Sequence, residues 1–169
     1  MNATNCIFCK IIADEVPAVK VYENEHILAF LDITPINPGH TLIIPKEHHE
    51  NMFELPEALT LEMMRAVKKI SHGIKDGLSE PGMNIIMNNG VAAGQTVFHA
   101  HIHLIPRKNG DGHAMWKGGK YSEGEAEKVA RAIIAALEVE TEKVPLKETS
   151  AGRRAEGSES PAGLYASLF

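Results

Sequence analysis

The sequence predicts an α+β domain with a mainly antiparallel sheet of about five strands and two main helices. Two observations carry this expectation. Short runs rich in β-branched and aromatic residues are interleaved with only two long amphipathic stretches, which is not the strict βαβ alternation of a parallel sheet. The chain has 169 residues, 44% hydrophobic and 23% charged, which suits one domain, or one domain plus an extension, with a real core.

The elements follow in order. Residues 6–13 (CIFCKIIA) form a compact apolar segment that ends near Pro17, a short helix or knuckle. Residues 19–23 and 27–32 read as strands, residues 33–39 (ITPINPG) as turn chemistry, and residues 40–45 as a third strand. Over residues 56–78, Leu59, Met63, Val67, Ile70 and Ile74 line one helical face, with Pro56 suited to the first turn. Residues 83–88 and 98–105 read as strands around a glycine-containing loop. A second helix opens at Ser122, where Glu125 completes a capping-box pattern; its face is Ala126, Val129, Ala130, Ile133, Ile134 and Leu137. From about residue 140 the composition turns polar and rich in Gly, Ser and Glu. Residues 1–139 are therefore expected to be the working domain and 140–169 a partly flexible extension with a late apolar patch at 164–169.

Composition excludes several classes. Seventeen basic against 22 acidic side chains give a net charge of -5, which disfavours nucleic-acid binding through bulk charge, so any phosphate must be held locally. No stretch approaches the roughly 20 apolar residues that span a bilayer. The opening residues lack the pattern of a signal peptide, which points to the cytoplasm and to reduced thiols at Cys6 and Cys9.

The most informative run is His99-Ala100-His101-Ile102-His103-Leu104-Ile105. On a strand, alternation sends the three histidines to one face. Imidazoles have poor β-propensity and little packing value, so a merely wetted sheet face explains them badly. Three ligands to one catalytic metal fit poorly too. On a straight strand the outer pair would lie about 13 Å apart, whereas Zn–N bonds are only about 2.0–2.1 Å. A middle imidazole acting as nucleophile, oriented by its neighbours, fits better, because one ring nitrogen can attack while the other is held. The preceding loop strengthens the case: Gly94 lets backbone approach a ligand, and Gln95 and Thr96 can donate to phosphate oxygens. His40, opening its own strand, can add a further imidazole. His26, His49, His72 and His113 show no such pattern and read as solvated or incidental.

These segments resemble the histidine triad (HIT) superfamily, and specifically its bacterial zinc-containing branch. The resemblance rests on the histidine run, on residues 28–35 (LAFLDITP), on residues 38–46 (PGHTLIIPK), and on Asn88 with residues 94–98 (GQTVF), and it covers roughly residues 5 to 118. It implies a nucleotide-binding fold whose sheets join across a homodimer. It also implies transfer of a nucleoside monophosphate onto His101, followed by hydrolysis, with no catalytic cofactor. Asp32 and Ile33 match positions near ribose and base. Asn88, Gly94, Gln95 and Thr96 match positions near the phosphates, and His40 and His103 match the supporting imidazoles. Thr96 stands where many relatives have Ser and keeps the hydroxyl donor.

The Cys6-x-x-Cys9 spacing supplies two of the four ligands that structural zinc prefers, with His48 and His99 as candidates for the others. The resemblance implies such a Cys-Cys-His-His set and favours His48 over His49. The expected substrates are nucleoside monophosphate conjugates, cleaved in the manner of a nucleoside phosphoramidase, an expectation that leans on the Gly-Gln-Thr loop and on Trp116. The alternatives are a dinucleoside polyphosphate hydrolase and, from other classes, a nucleotide-binding scaffold or a metal-dependent hydrolase.

Overall fold

In the computed structural model, residues 5–114 and 116–141 are described. The chain divides into two compact units, Met1–Ala114 and Met115–Phe169. The first unit contains α1 (Ile7–Ile12), β1 (Lys20–Glu23), β2 (Ile27–Leu31), β3 (Thr41–Pro45), α2 (Glu57–Leu78), β4 (Gly82–Ile86) and β5 (Ile102–Arg107). Single 3-10 turns at Met52–Glu54 and Val91–Ala93 interrupt the connections. The strands form one antiparallel sheet in the order β1-β2-β3-β5-β4. This is the α+β class expected.

The sheet is buried on both faces at its centre, which explains why β2 and β3 are near-continuous apolar runs. Ile27, Ala29, Ile43, Ile102 and Leu104 point to one face and pack against Met63, Ala66, Val67, Ile70 and Ile74 of α2. Leu28, Phe30, Leu42 and Ile44 point to the other and pack against Cys6, Phe8 and Ile11 around α1. Helix α2 begins after Pro56 and ends at Ser79, whose φ of 57° is left-handed and whose N–H donates to the Lys75 carbonyl (3.0 Å).

One strand is shorter than expected. The ladder of β5 with β3 and β4 starts at Ile102 and His103, so His99 and His101 precede the strand. The reason is a competing partner: the Ala100 N–H donates to the His49 carbonyl (2.6 Å), which holds this backbone against the segment after β3.

In the second unit, α3 spans Glu125–Thr141. The Glu125 carboxylate accepts from the Ser122 N–H (2.8 Å) and hydroxyl (2.7 Å), the reach-back half of the expected capping box. Val129, Ile133, Ile134 and Leu137 are exposed on this helix, as is Trp116. The apolar patch at 164–169 lies outside the described residues.

Candidate functional site: a histidine pocket beside a thiol–imidazole cluster

His101 and His103 line a pocket of about 340 Å³ on the α1 face of the sheet, with ring centroids 4.9 Å apart. Ile7, Phe8 and Ile11 of α1, with Phe30 and Leu42, form its apolar wall; Asp32, Ile33, Thr34 and Thr96 edge it. Phe8 meets the His101 ring edge-on at a centroid distance of 5.2 Å. The α1 residues were not singled out from sequence as part of a site. The available signal was their place between and after two cysteines that have to be brought to the sheet.

Hydrogen bonds fix the ring tautomers. The Nδ1 of His101 lies 2.6 Å from the His99 carbonyl oxygen, which can only accept, so Nδ1 carries the proton and Nε2 keeps its lone pair. The Ile36 N–H donates to His40 Nδ1 (3.3 Å), so His40 Nε2 carries the proton and donates to His103 Nδ1 (2.9 Å). The neutral His103 therefore keeps its own proton on Nε2. Asp32 sits 3.6 Å from His40 Nδ1, close enough for electrostatics and too long for a hydrogen bond. Burial lowers the pKa of all three rings. It is the main cause for His101 and His40, and it pushes His103 down to about 4 with help from the neighbouring His101 and His40. Neutral imidazoles at neutral pH follow.

The loop before the triad departs from expectation at Gln95. That residue is buried, and its carboxamide oxygen accepts from the Gly90 N–H (2.7 Å). Its amide donates to the Glu50 (2.6 Å) and Val97 (3.0 Å) carbonyls, and its backbone N–H goes to Gly90. With every donor spent inside the protein, Gln95 braces the loop and cannot donate to a phosphate. Gly94 is left-handed (φ 84°), with the Asn88 amide 3.9 Å from where a Cβ would stand. Asn88 and Gly94 flank the loop without lining the pocket, whereas Thr96 and Val97 line it. Among the other histidines, His49 also departs from expectation. Its side chain is mostly buried and its carbonyl holds Ala100, while His26, His72 and His113 are exposed.

A second cluster adjoins the pocket. One donor atom each from Cys6, Cys9, His48 and His99 lies within 4.8 Å of all the others. His99 Nδ1 is 3.4 Å from Cys6 Sγ, 3.6 Å from Cys9 Sγ and 3.2 Å from His48 Nδ1, and Cys9 Sγ is 3.3 Å from His48 Nδ1. A tetrahedral ion with Zn–N of about 2.0–2.1 Å and Zn–S of about 2.3 Å spaces its ligand atoms roughly 3.3–3.8 Å apart, so the set has the right size. The tautomer is right as well. His99 Nε2 donates to the Pro45 carbonyl (2.8 Å), which leaves Nδ1 as a bare lone pair facing the thiols, the outer-shell arrangement of a metal-binding histidine. Burial pushes His99 down to about 4 and the Cys9 thiol up to about 11, so a thiolate here requires a cation beside it. A second grouping, Asp32 with His40 and His103, is less suited to a metal because three of its four ring nitrogens are already paired.

A larger cavity of about 480 Å³ lies between α2 and β1–β3, lined by Tyr22, Lys69, Ile70 and Ile74 among others, with no histidine or cysteine. The chemistry is concentrated on the opposite face.

The fold and the site together define an α+β protein that carries a buried run of paired imidazoles over an apolar pocket. The family model described as "HIT domain" matches residues 13–110, more than half the chain, and the chain belongs to that family. A HIT-family crystal structure from Bacillus subtilis is 45% identical, superposes with a TM-score of 0.73 and covers 78% of this chain and 96% of that one. A Zn-bound histidine triad protein from Mycobacterium smegmatis is 36% identical, with a TM-score of 0.64 over 82% of this chain and 99% of that one. The Adenylylsulfatase HINT3 of Arabidopsis thaliana is 45% identical over 107 residues, 63% of this chain and 54% of that protein. Membership places the chain among nucleotide-binding hydrolases and transferases.

Proposed function

We propose that this protein cleaves nucleoside monophosphate conjugates through a nucleotidyl group carried on His101, in the manner of a nucleoside phosphoramidase acting on purine nucleotides. The observation that carries the reading is the His101–His99 hydrogen bond, which leaves a neutral Nε2 lone pair in the pocket. In the first step that lone pair attacks the α-phosphorus and the P–N bond breaks; the amine nitrogen, protonated from solvent, leaves as the neutral amine, and the His103 Nε2–H donates a hydrogen bond to the lone pair that develops on it. Water then attacks the same phosphorus, gives its proton to solvent, breaks the P–Nε2 bond and releases the nucleoside monophosphate. Phe8 and Ile11 suit a base and ribose, Asp32 a ribose hydroxyl, and the Thr96 hydroxyl the phosphoryl oxygens.

The leaving group is the open variable. A dinucleoside polyphosphate offers the same phosphorus with a polyphosphate behind it, and the name of the Arabidopsis relative implies a sulfate. Parallel turnover of an AMP–amine conjugate and a diadenosine polyphosphate ranks them. Mass spectrometry of protein quenched during turnover tests the shared mechanism: the peptide spanning His99 to His103 gains one nucleotidyl mass, and a quenched protein with none overturns it.

The same proposal includes a structural zinc held by Cys6, Cys9, His48 and His99, supported by the donor geometry and by the zinc-bound relative. When bound it would join the N-terminal segment to the sheet, and no step of the reaction passes through it. It also includes a homodimer. The edge strand β4 carries Ile85 half exposed, and light scattering of the full chain tests this arrangement, twice the chain mass being the expected result and a single chain mass the one that overturns it. Residues 1–139 remain the proposed working segment, and limited proteolysis followed by assay tests that boundary.

A further inference from the structure

Behind the imidazole pair lies a second polar arrangement that the reaction scheme does not use. Asp111, on the loop after β5, has a side chain only 4% exposed, and all its hydrogen-bonding directions are occupied. Its Oδ2 accepts from Arg107 Nε (2.6 Å) and Asn37 Nδ2 (3.0 Å); its Oδ1 accepts from Arg107 Nη2 (2.9 Å) and the His113 N–H (3.0 Å). Arg107 also bonds Asn84 on β4, so the pair is tied to the sheet. Asn37 gives a further hydrogen bond to the Pro106 carbonyl (2.8 Å).

Asn37 is also the residue that closes the turn into β3. Its carbonyl accepts the His40 N–H (3.0 Å), and the His40 carbonyl in turn accepts the Asp32 N–H (2.9 Å). The turn contains Gly39 at φ 88°. Asn37 is therefore the side-chain tie between β5 and the loop that presents both His40 and Asp32. A bidentate arginine–carboxylate pair fixes the geometry of both its members, and here it immobilises the one carboxamide that sets this loop.

We propose that Asp111, locked by Arg107, is a positioning residue for His40. Through Asn37 it sets the turn that aims His40 Nε2 at His103 Nδ1, and so fixes which nitrogen of His103 carries its proton. The inference rests on the proposed role of His103, but its test separates the two. The structural readout is the imidazole N–H signal of His40 in nitrogen-15 spectra of the full chain, sheltered by its bond to His103. Asp111→Ala and Asn37→Ala are expected to abolish or broaden that signal, while Val67→Ala, a core variant of comparable thermal stability, retains it. With an AMP–amine conjugate, Asp111→Ala is expected to lower kcat on the order of ten- to a hundredfold with KM changed less than about twofold, and Asp111→Asn, which keeps an oxygen for Asn37, to recover part of the rate. An unchanged His40 signal in Asp111→Ala overturns the proposal whatever the activity. If that variant does not fold, Asn37→Ser decides by the same signal. A wild-type protein inert toward every AMP conjugate would instead sink the functional reading and leave the spectroscopic result standing.

Discussion

His40 Nε2 lies 2.9 Å from His103 Nδ1, and the Ile36 N–H on the far side of the His40 ring makes His40 the donor of that pair. The polarity of the contact leaves the His103 proton on the nitrogen a leaving group would meet. It also means that protonating either ring forces two donors together.

Acid should therefore weaken the protein before its carboxylates matter. His103 has a folded pKa of about 4, and that of His40 is lowered, against an unperturbed imidazole near 6.5. Between those values the unfolded chain binds more protons than the folded one, so stability rises with pH across roughly 4 to 6.5 and is level above. Thermal melts from pH 4 to 8 are expected to show this slope, and His103→Asn to reduce it, the contributions of His40, His99 and His101 remaining.

His101→Ala should remove turnover by at least about 10³-fold, because the nucleophile has no substitute in the pocket. Nucleotide affinity should stay within a few-fold, since the apolar wall and Thr96 remain. Steady-state assay and calorimetric titration with AMP check the two halves. A scaffold protein would instead keep its cellular role in this variant.

Unchelated protein is expected to contain one zinc per chain. Cys6→Ser should lose it and melt lower by about 10 °C or more, the scale set by losing a ligand held at a hundredfold over its dissociation constant, about 2.7 kcal/mol. Elemental analysis and differential scanning calorimetry check this.

Gln95→Ala should cost about 1–3 kcal/mol, since it strips the partner from the Gly90 N–H and from the Glu50 and Val97 carbonyls in a mostly buried setting. Weaker nucleotide binding should accompany the loss as the loop loosens. Urea unfolding measures the first effect and titration the second.

Gly39→Ala should cost about 1–2 kcal/mol, from the left-handed φ of 88°. The added Cβ would also meet Leu78 Cδ1, the end of a partly exposed side chain that can move aside, and Pro106 Cγ at 3.2 Å, a fully buried ring that has to give by a few tenths of an ångström. The same unfolding experiment applies.

Local periodicity made α2 legible: Met63, Val67, Ile70 and Ile74, four of the residues that mark its face, are buried against the sheet. The two-sided burial of β2 and β3 was legible as continuous apolar runs. What escaped depends on partners far along the chain. Gln95 looks like a loop donor until its amide is seen to bond Glu50, 45 residues away. The late start of β5 is set by Ala100 pairing with His49. The pocket wall on α1 could not be read from six residues whose position depends on packing beneath Phe30. Alternation of the histidines was informative about His101 and His103, which share the pocket, and less so about His99, whose ring turns to the thiols before regular pairing begins.

The group that orients His101 is a main-chain oxygen, and this shapes how the site can vary. No exchange of side chain at position 99 deletes that oxygen, so point mutation reaches it only by displacing the peptide itself. The most direct way is to deny the next residue its amide hydrogen, as Ala100→Pro would, severing the tether to His49. Retuning the nucleophile's aim is thus a matter of rerouting backbone, which selection and protein engineers alike find harder than swapping a side chain.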